Sequence, residues 1–401
     1  MMMEPIRELL ERGVVIPAPD QVTVAGDVLP ERIAPGVVLY PGTRLMGDTL
    51  SIGPGCKLGQ EQPVTVHNCQ LGHDVSLKGG YFKGAVFLDG ASMGSGAHVR
   101  PATLLEEEAN GAHTVGFKQT ILLAYVTTGS LINFCDVLMA GGTDRKHHSE
   151  VGSSYIHFNF TPHGDKATAS LIGDVPHGVR YDQPPIFLGG QGGLVGPARI
   201  AYGVTVAAGV IQRKDALAPG HLYLGGGGRA TAPRPYDPRR YGSISRVVTN
   251  NLIFIGNLLA LQIWYRHVRP RFMRRCPFRE ACRLGALDVL GAALQERIKR
   301  MDDLAKRVAA SAAESGQVEA SAAVVAEQRV FCEKWPGKRE QLKKPLGPEP
   351  GAAARAAFMA EWEQQSAETH TAAMAALSAD GRTAATHWLQ AIVNHVTEGM
   401  V

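Results

Sequence analysis

Between Ile33 and Ile211 the chain returns every six residues to a branched apolar side chain, followed by a small residue and turn-formers. Ile33-Ala-Pro-Gly, Leu39-Tyr-Pro-Gly and Leu45-Met-Gly-Asp follow one another at intervals of six. After a one-residue slip, Ile52, Leu58 and Val64 continue the series, then Leu71, Leu77, Met93, Val99 and Leu105. It returns as Ile200, Val206 and Ile211. A period of six matches neither a helix nor strand alternation. Three such hexads make one triangular coil of a parallel β-solenoid, in which one apolar residue per hexad faces inward and stacked coils share a continuous core. A glycine-rich sandwich would instead show longer alternating strands and hairpin signals such as Asn-Gly, and few are present.

The 401 residues suffice for two or more domains. Of the 46 glycines, 36 lie before position 230, so composition changes there. We therefore expect a cap at 1–30, coils at 31–217, a Gly/Pro-rich linker at 218–242 and an α-helical domain at 243–401. The cap, which includes a short amphipathic helix from Met3 to Arg12, covers an otherwise open first coil. Irregular segments are expected near 106–125, 141–150 and 158–185. The linker holds Gly225 to Gly228 and then Pro233, Pro235 and Pro238.

In the C-terminal part, Leu252, Ile255, Leu258, Leu259 and Ile263 fit one helix face, and Leu284, Leu287, Leu290, Leu294 and Ile298 another. Alanine-rich stretches at 308–327 and 352–376 favour helix, and Pro345, Pro348 and Pro350 interrupt it. The expectation is a bundle of four or five helices with a packing or assembly role. Val247 to Tyr265 is the most apolar stretch, but Asn250, Asn251, Asn257 and Gln262 argue for a buried or subunit-facing helix over a bilayer span.

The net charge of +4 does not suggest a nucleic-acid binder. Arg269, Arg271, Arg274 and Arg275 read as a solvated helix end. Cys56, Cys69, Cys135, Cys276, Cys282 and Cys332 lack metal-ligand spacing and read as reduced thiols of a cytoplasmic protein.

Several segments, taken in order, resemble the hexapeptide-repeat acyltransferases, most closely the C-terminal acetyltransferase domain of the GlmU family. These are Ile33 to Thr43, Val99-Arg100-Pro101, Gly152 to Phe160, Ile172-Gly173-Asp174, Val206-Ala207-Ala208-Gly209 and Arg213-Lys214-Asp215. The resemblance covers about half the chain. It implies a left-handed β-helix, a homotrimer, and acetyl-CoA as co-substrate for an amino-sugar phosphate or nucleotide sugar. No glycine-rich nucleotide loop of the uridylyltransferase half is found. Where the family has its acid/base histidine after Gly-Ser-Lys-Ala-Gly, this chain has Phe134 after Gly129-Ser130-Leu131-Ile132-Asn133, and Val137 replaces the following tyrosine.

A polar cluster remains, Asp144 to Glu150, then His157, Asn159, His163, Asp165 and Lys166. At eighteen residues per coil, 148 and 166 are expected in register on neighbouring coils. Acyl transfer to an amine needs a base, and a sugar phosphate needs cations. His148 (or His147) is the candidate base and Glu150 its orienting group. The resemblance implies Arg100, Asn159 and Lys166 as substrate contacts, and Gly190, Ala207 and Arg213 as cofactor contacts. Gly189 to Gly193 reads as a tight corner or a pantetheine approach. A zinc site from His147, His148, His157 and His163 is a lesser alternative, and no metal is the main expectation. Two functions stay open, an acyl-CoA-dependent N-acyltransferase and a lapsed sugar-phosphate-binding or scaffold trimer. No membrane or nucleic-acid partner is expected.

Overall fold

The computed structural model describes residues 4–225, 237, 239–314, 321–344 and 350–400. The N-terminal half is a parallel β-solenoid of about 11 turns. Every hexad residue from Ile33 to Val206 named above is buried in one continuous core. Full burial of each such Leu or Ile contributes about 1.5–3 kcal/mol. Ile211 departs from the pattern and is 44% exposed, because Gln212 pairs with inward-facing Leu194 and Ile211 falls on the outer side.

Each coil visits three faces in turn. The first face runs from Val38–Leu39 to Leu222–Tyr223 as one ten-stranded ladder. The second runs from Thr23–Val24 through Arg44–Met46 to Ile211–Gln212. The third runs from Ser51–Ile52 to Arg199–Ile200. The second and third join where Gly116–Leu122 and Asn133–Met139 pass unbroken around their shared corner. Corners need left-handed backbone. Glycine supplies it at Gly55 and Gly90, whereas the same corner later uses Glu108 and Tyr125 at φ 56 and 69.

That substitution corrects one expectation. Segment 106–125 is regular coil, since Asn110–Gly111 pairs with Ser92–Met93 and with Thr127–Thr128. Its hexad signature is hidden because the inward residues are Gly111 and Thr128 and the corners are not glycine. The true insertions lie at 140–149, 159–169 and 173–186, between paired strands. The ladder also reaches into both flanking segments, with Thr23–Val24 on Arg44–Leu45 and Leu222–Tyr223 on Thr205–Val206. Helix α1 (Glu4–Glu11) sets Ile6 and Leu9 into the core at the first end. Gly226 to Gly228, Pro233, Pro235, Pro238, Pro345 and Pro348 lie outside the described residues.

Beyond the four-residue α2 (Val175–Gly178), the helical part contains α3 (Ser245–His267), α4 (Pro270–Met273), α5 (Pro277–Glu314), α6 (Ala322–Leu342), α7 (Ala352–Trp362), α8 (His370–Ala375) and α9 (Ala379–Thr397). Among the described residues these exceed the four or five expected, because Pro270 and Pro277 each restart the chain. The helices lie along the third face. Val86, Leu104, Ile121, Leu138 and Leu171 form an outward column in register, and all are buried in a second core shared with α3, α5, α7 and α9.

The buried stripe of α5 is Cys282, Ala286, Leu290, Ala293 and Arg297, while Leu284 is 50% exposed. Small residues let the helix approach the flat sheet; at Gly285 a Cβ would stand 2.3 Å from the Gln70 side chain. Helix α3 is long and apolar enough to cross a membrane, but it is mostly buried inside the protein. Its amides are used there. Asn251 donates to the Ala167 carbonyl and Asn257 accepts from the Val175 N–H. The arginine cluster is not simply a solvated helix end, since Arg269 is fully buried against Glu106 and Glu107. All six cysteines are free.

Candidate functional site

The sequence-predicted residues spread over all three corners of the prism. His148 and Glu150 lie where the third face returns to the first, because Glu150 opens a first-face strand between Thr127 and Phe187. Arg100, Asn159 and Lys166 lie between the second and third faces, after Ala97–Val99 and between Ile156–Phe158 and Ser170–Ile172. Gly190 and Ala207 lie where the first face passes to the second, and exposed Arg213 follows Ile211–Gln212. His148 and Lys166 are therefore not in register. The insertions at 140–149 and 159–169 break the eighteen-residue count.

His148 makes no bond to Glu150, and among the described residues its buried Nδ1 has no partner. His147, which is exposed, pairs with Asp144 at 3.1 Å. Backbone N–H donation from Lys146, with the His147 side chain, holds the Asp144 carboxyl well below its usual range. At Gly190 a Cβ would meet the Ser153 carbonyl at 2.9 Å, so the glycine run makes a tight corner.

His157 faces inward, aligned with Leu194. Its Nδ1 lies 2.6 Å from the Cys135 carbonyl, so Nδ1 carries the proton, and Nε2 accepts from the Ser170 hydroxyl at 2.8 Å. Burial, with the Arg297 charge, depresses its pKa to about 4, a shift only partly opposed by the Cys135 bond. Phe134 is likewise a core residue, flanked by the rings of Phe117 and Tyr155. His163 stacks on Tyr241 and meets the Arg240 carbonyl. The four histidines of the zinc alternative therefore do not converge, and among the described residues no group of three or more His, Cys, Asp or Glu is placed to hold a metal.

A different pair lines a wide cleft. The insertion after Ile172 turns at Gly173 (φ 76), where a Cβ would collide with the Tyr202 ring at 2.8 Å. Asp174 then caps α2, accepting from the His177 N–H at 2.8 Å. The same carboxylate accepts from His177 Nδ1 at 2.8 and 3.0 Å. A carboxylate only accepts, so Nδ1 carries a proton, and in the neutral ring Nε2 holds the lone pair. Among the described residues Nε2 has no partner, and the ring is about one-third exposed.

Tyr202 fixes the turn by donating to the Asp174 carbonyl at 2.6 Å, and Asn257 holds the Val175 N–H at 2.7 Å. Both residues of the pair line a cavity of about 740 Å³ between the late coils and α3 and α9. Leu171, Ile200, Leu217, Ile253 and Val393 supply apolar wall, and Gln390 and Asn394 supply amides. A histidine oriented by a carboxylate, with a free Nε2 at a half-apolar cleft, is the arrangement of a general base. Sequence reasoning noticed Ile172-Gly173-Asp174 but not the histidine three residues after the aspartate. The available signal was Asp-x-x-His after a Gly turn.

Comparison with known proteins finds relatives over about half of the chain. No family model matches the chain. The bifunctional protein GlmU of Thermotoga maritima is 27% identical over 224 residues, 56% of this chain and 44% of that protein. The GlmU of Trichlorobacter lovleyi is 28% identical over 52% of this chain and 40% of its own. The GlmU of Nocardia farcinica is 28% identical over 55% and 40%. The chain thus spans less than half the length of these curated relatives. An LpxA structure from Acinetobacter baumannii overlaps 51% of this chain and 66% of its own, at 17% identity and a TM-score of 0.20. The chain resembles the hexapeptide-repeat acyltransferases, in particular the C-terminal domain of GlmU.

Proposed function

We propose that the protein is an acyltransferase of the hexapeptide-repeat class, with His177 as general base and Asp174 as its orienting carboxylate. The observation that carries this reading is the free Nε2 of His177 at the 740 Å³ cleft, with Nδ1 tied to Asp174. Nε2 removes a proton from an amine or hydroxyl as its heteroatom attacks the thioester carbonyl of an acyl-CoA. The tetrahedral intermediate then expels the CoA thiolate, which takes the proton back from the imidazolium. Asp174 stabilises the charged ring between the two steps. The apolar wall suits an acyl or pantetheine chain.

Within this reading the donor is acetyl-CoA and the acceptor an amino-sugar phosphate or nucleotide sugar, in a cytoplasmic homotrimer of left-handed solenoids. The likeness to GlmU supports these choices. Arg100, on the second corner, is exposed and has no ion-pair partner among the described residues, which suits an anionic group. A second reading, a sugar-phosphate-binding trimer without turnover, draws on Phe134, a core residue at the position where the resemblance has its catalytic histidine.

Calorimetry with acetyl-CoA and with glucosamine 1-phosphate, followed by a free-thiol assay with both, separates the two. Thiol release lost in His177→Ala but kept in His148→Ala supports the cleft base. Release that survives His177→Ala rejects it, and sugar-phosphate binding without any thiol release favours the recognition protein.

A further inference from the structure

A second cavity, of about 180 Å³, lies at the seam where α4, α5 and α8 meet the corner between the third and first faces. Its chemistry is unlike that of the cleft. Glu106, fully buried, accepts from the Tyr265 hydroxyl at 2.8 Å and pairs with Arg269 at 2.9 Å. Arg269 also pairs with one oxygen of Glu107 and donates to the Tyr181 hydroxyl at 2.8 Å. Among the described residues, the second oxygen of Glu107 is buried and has no partner. The same holds for both ring nitrogens of His370, which is only 6% exposed. Tyr181, Trp264, Phe272 and Trp362 surround that ring at 5.4–6.0 Å, mostly edge to face.

Glu107 and His370 line the same cavity. Leaving buried acceptors empty costs about 1–3 kcal/mol for each group, so the pocket is built to receive a hydrogen-bond donor. Its charge agrees. Asp89, Glu107, Glu108 and Glu368 line it against Arg269 and Arg279. Arg269 is shared with buried Glu106, and Arg279 is taken by Asp89 at 2.7 Å. The surplus is negative. Burial, then the Arg269 charge, pushes the His370 pKa far down, so its ring is neutral and offers a lone pair. No group of metal-ligating side chains is placed to hold an ion among the described residues.

We propose that this pocket binds a small free aliphatic amine as its ammonium ion, held at the inner end by Glu107 and His370. Leu88, Phe272 and Met273 flank the carbon chain. The volume equals that of about six water molecules and so fits about six heavy atoms. Glu108 and Glu368 are exposed at the rim, where a second ammonium group would meet them. The site is independent of the His177 cleft.

The test uses the full chain and calorimetry with butane-1,4-diamine, with butane-1,4-diol as the neutral isostere. Saturable one-site binding of the diamine and none of the diol is expected. Glu107→Gln should weaken it at least about tenfold. Because Glu107→Gln also disturbs Arg269, the exposed Glu368→Gln provides a second variant, with a several-fold weakening expected. His177→Ala should leave binding unchanged. Absence of diamine binding, equal binding of the diol, or indifference to both glutamate variants would overturn the proposal. Tighter binding of an Nα-acetyl-lysine amide than of the diamine would overturn it in favour of a protein lysine.

Discussion

Arg297, near the middle of α5, reaches into the corner between the second and third faces and donates to Asp136 at 2.7 Å. Both side chains are almost fully buried, and Asp136 holds the left-handed corner conformation (φ 63). Burial pushes the Asp136 pKa up, and Arg297 first and Asn159 after it oppose that by favouring the charged carboxylate. The asparagine that the family resemblance assigns to the sugar therefore supports, in this chain, an ion pair that fastens helix to solenoid.

Removing one partner should show it. Asp136→Ala strands Arg297 and should cost about 3–5 kcal/mol, part of it from forcing alanine into a left-handed corner. Asp136→Asn, which tolerates that backbone, should cost less. Urea denaturation of both variants measures this, and a loss below about 1 kcal/mol for Asp136→Ala would mean that the pair carries no weight.

Acid should weaken the fold through His157. Its folded pKa of about 4 lies below the ordinary histidine value of 6.5, so between these values the unfolded chain binds more protons. Stability is therefore full above pH 6.5 and falls as pH drops toward 4, by about 3 kcal/mol from this group. His370, depressed in the same direction by burial, adds to the slope. His157→Leu should flatten the profile of urea midpoints between pH 7 and pH 4.5. An unchanged slope would show that His157 is not what titrates.

For the cleft pair, His177→Ala should lower turnover with any accepted acyl donor by about 10²–10⁴-fold. Asp174→Asn should lower it as well, at little expense in stability, since asparagine still caps α2. If His177→Ala reduces stability and leaves turnover alone, the pair is only a helix cap.

Cysteine labelling should single out Cys276. Arg279 lies 3.4 Å from His73 Nδ1, which makes that nitrogen the acceptor and directs Nε2–H toward the Cys276 sulfur at 3.3 Å. Burial instead pushes the thiols of Cys56 and Cys69 up to about 12 and that of Cys135 to about 11, and raises Cys282 and Cys332 too. Mass spectrometry after brief iodoacetamide treatment should find Cys276 alkylated first, and more slowly in His73→Ala. Equal rates across the six would contradict this.

The hexads made the solenoid legible because one inward residue per side repeats at a fixed interval. They faded wherever a corner used Glu108, Tyr125 or Asp136, or an inward place went to Gly111 or Thr128. The helix-covered face had its own written sign, apolar doublets such as Val86-Phe87, Leu104-Leu105, Ile121-Leu122 and Leu138-Met139, with one side chain for each core. The candidate site was less legible. Linear spacing could not anticipate that insertions would separate His148 from Lys166 by a whole face, or that α3 and α9 would roof a cleft over His177.

The outward column from Val86 to Leu171 also sets an order of events during synthesis. The coils leave the ribosome first, and they can wind as each strand finds the one before it. Their apolar third face, however, stays bare until α3, α5, α7 and α9 have been translated. For that interval the nascent chain carries a sticky flank about five rungs long in this column, and a release before the last helix would leave it seeking cover on other molecules.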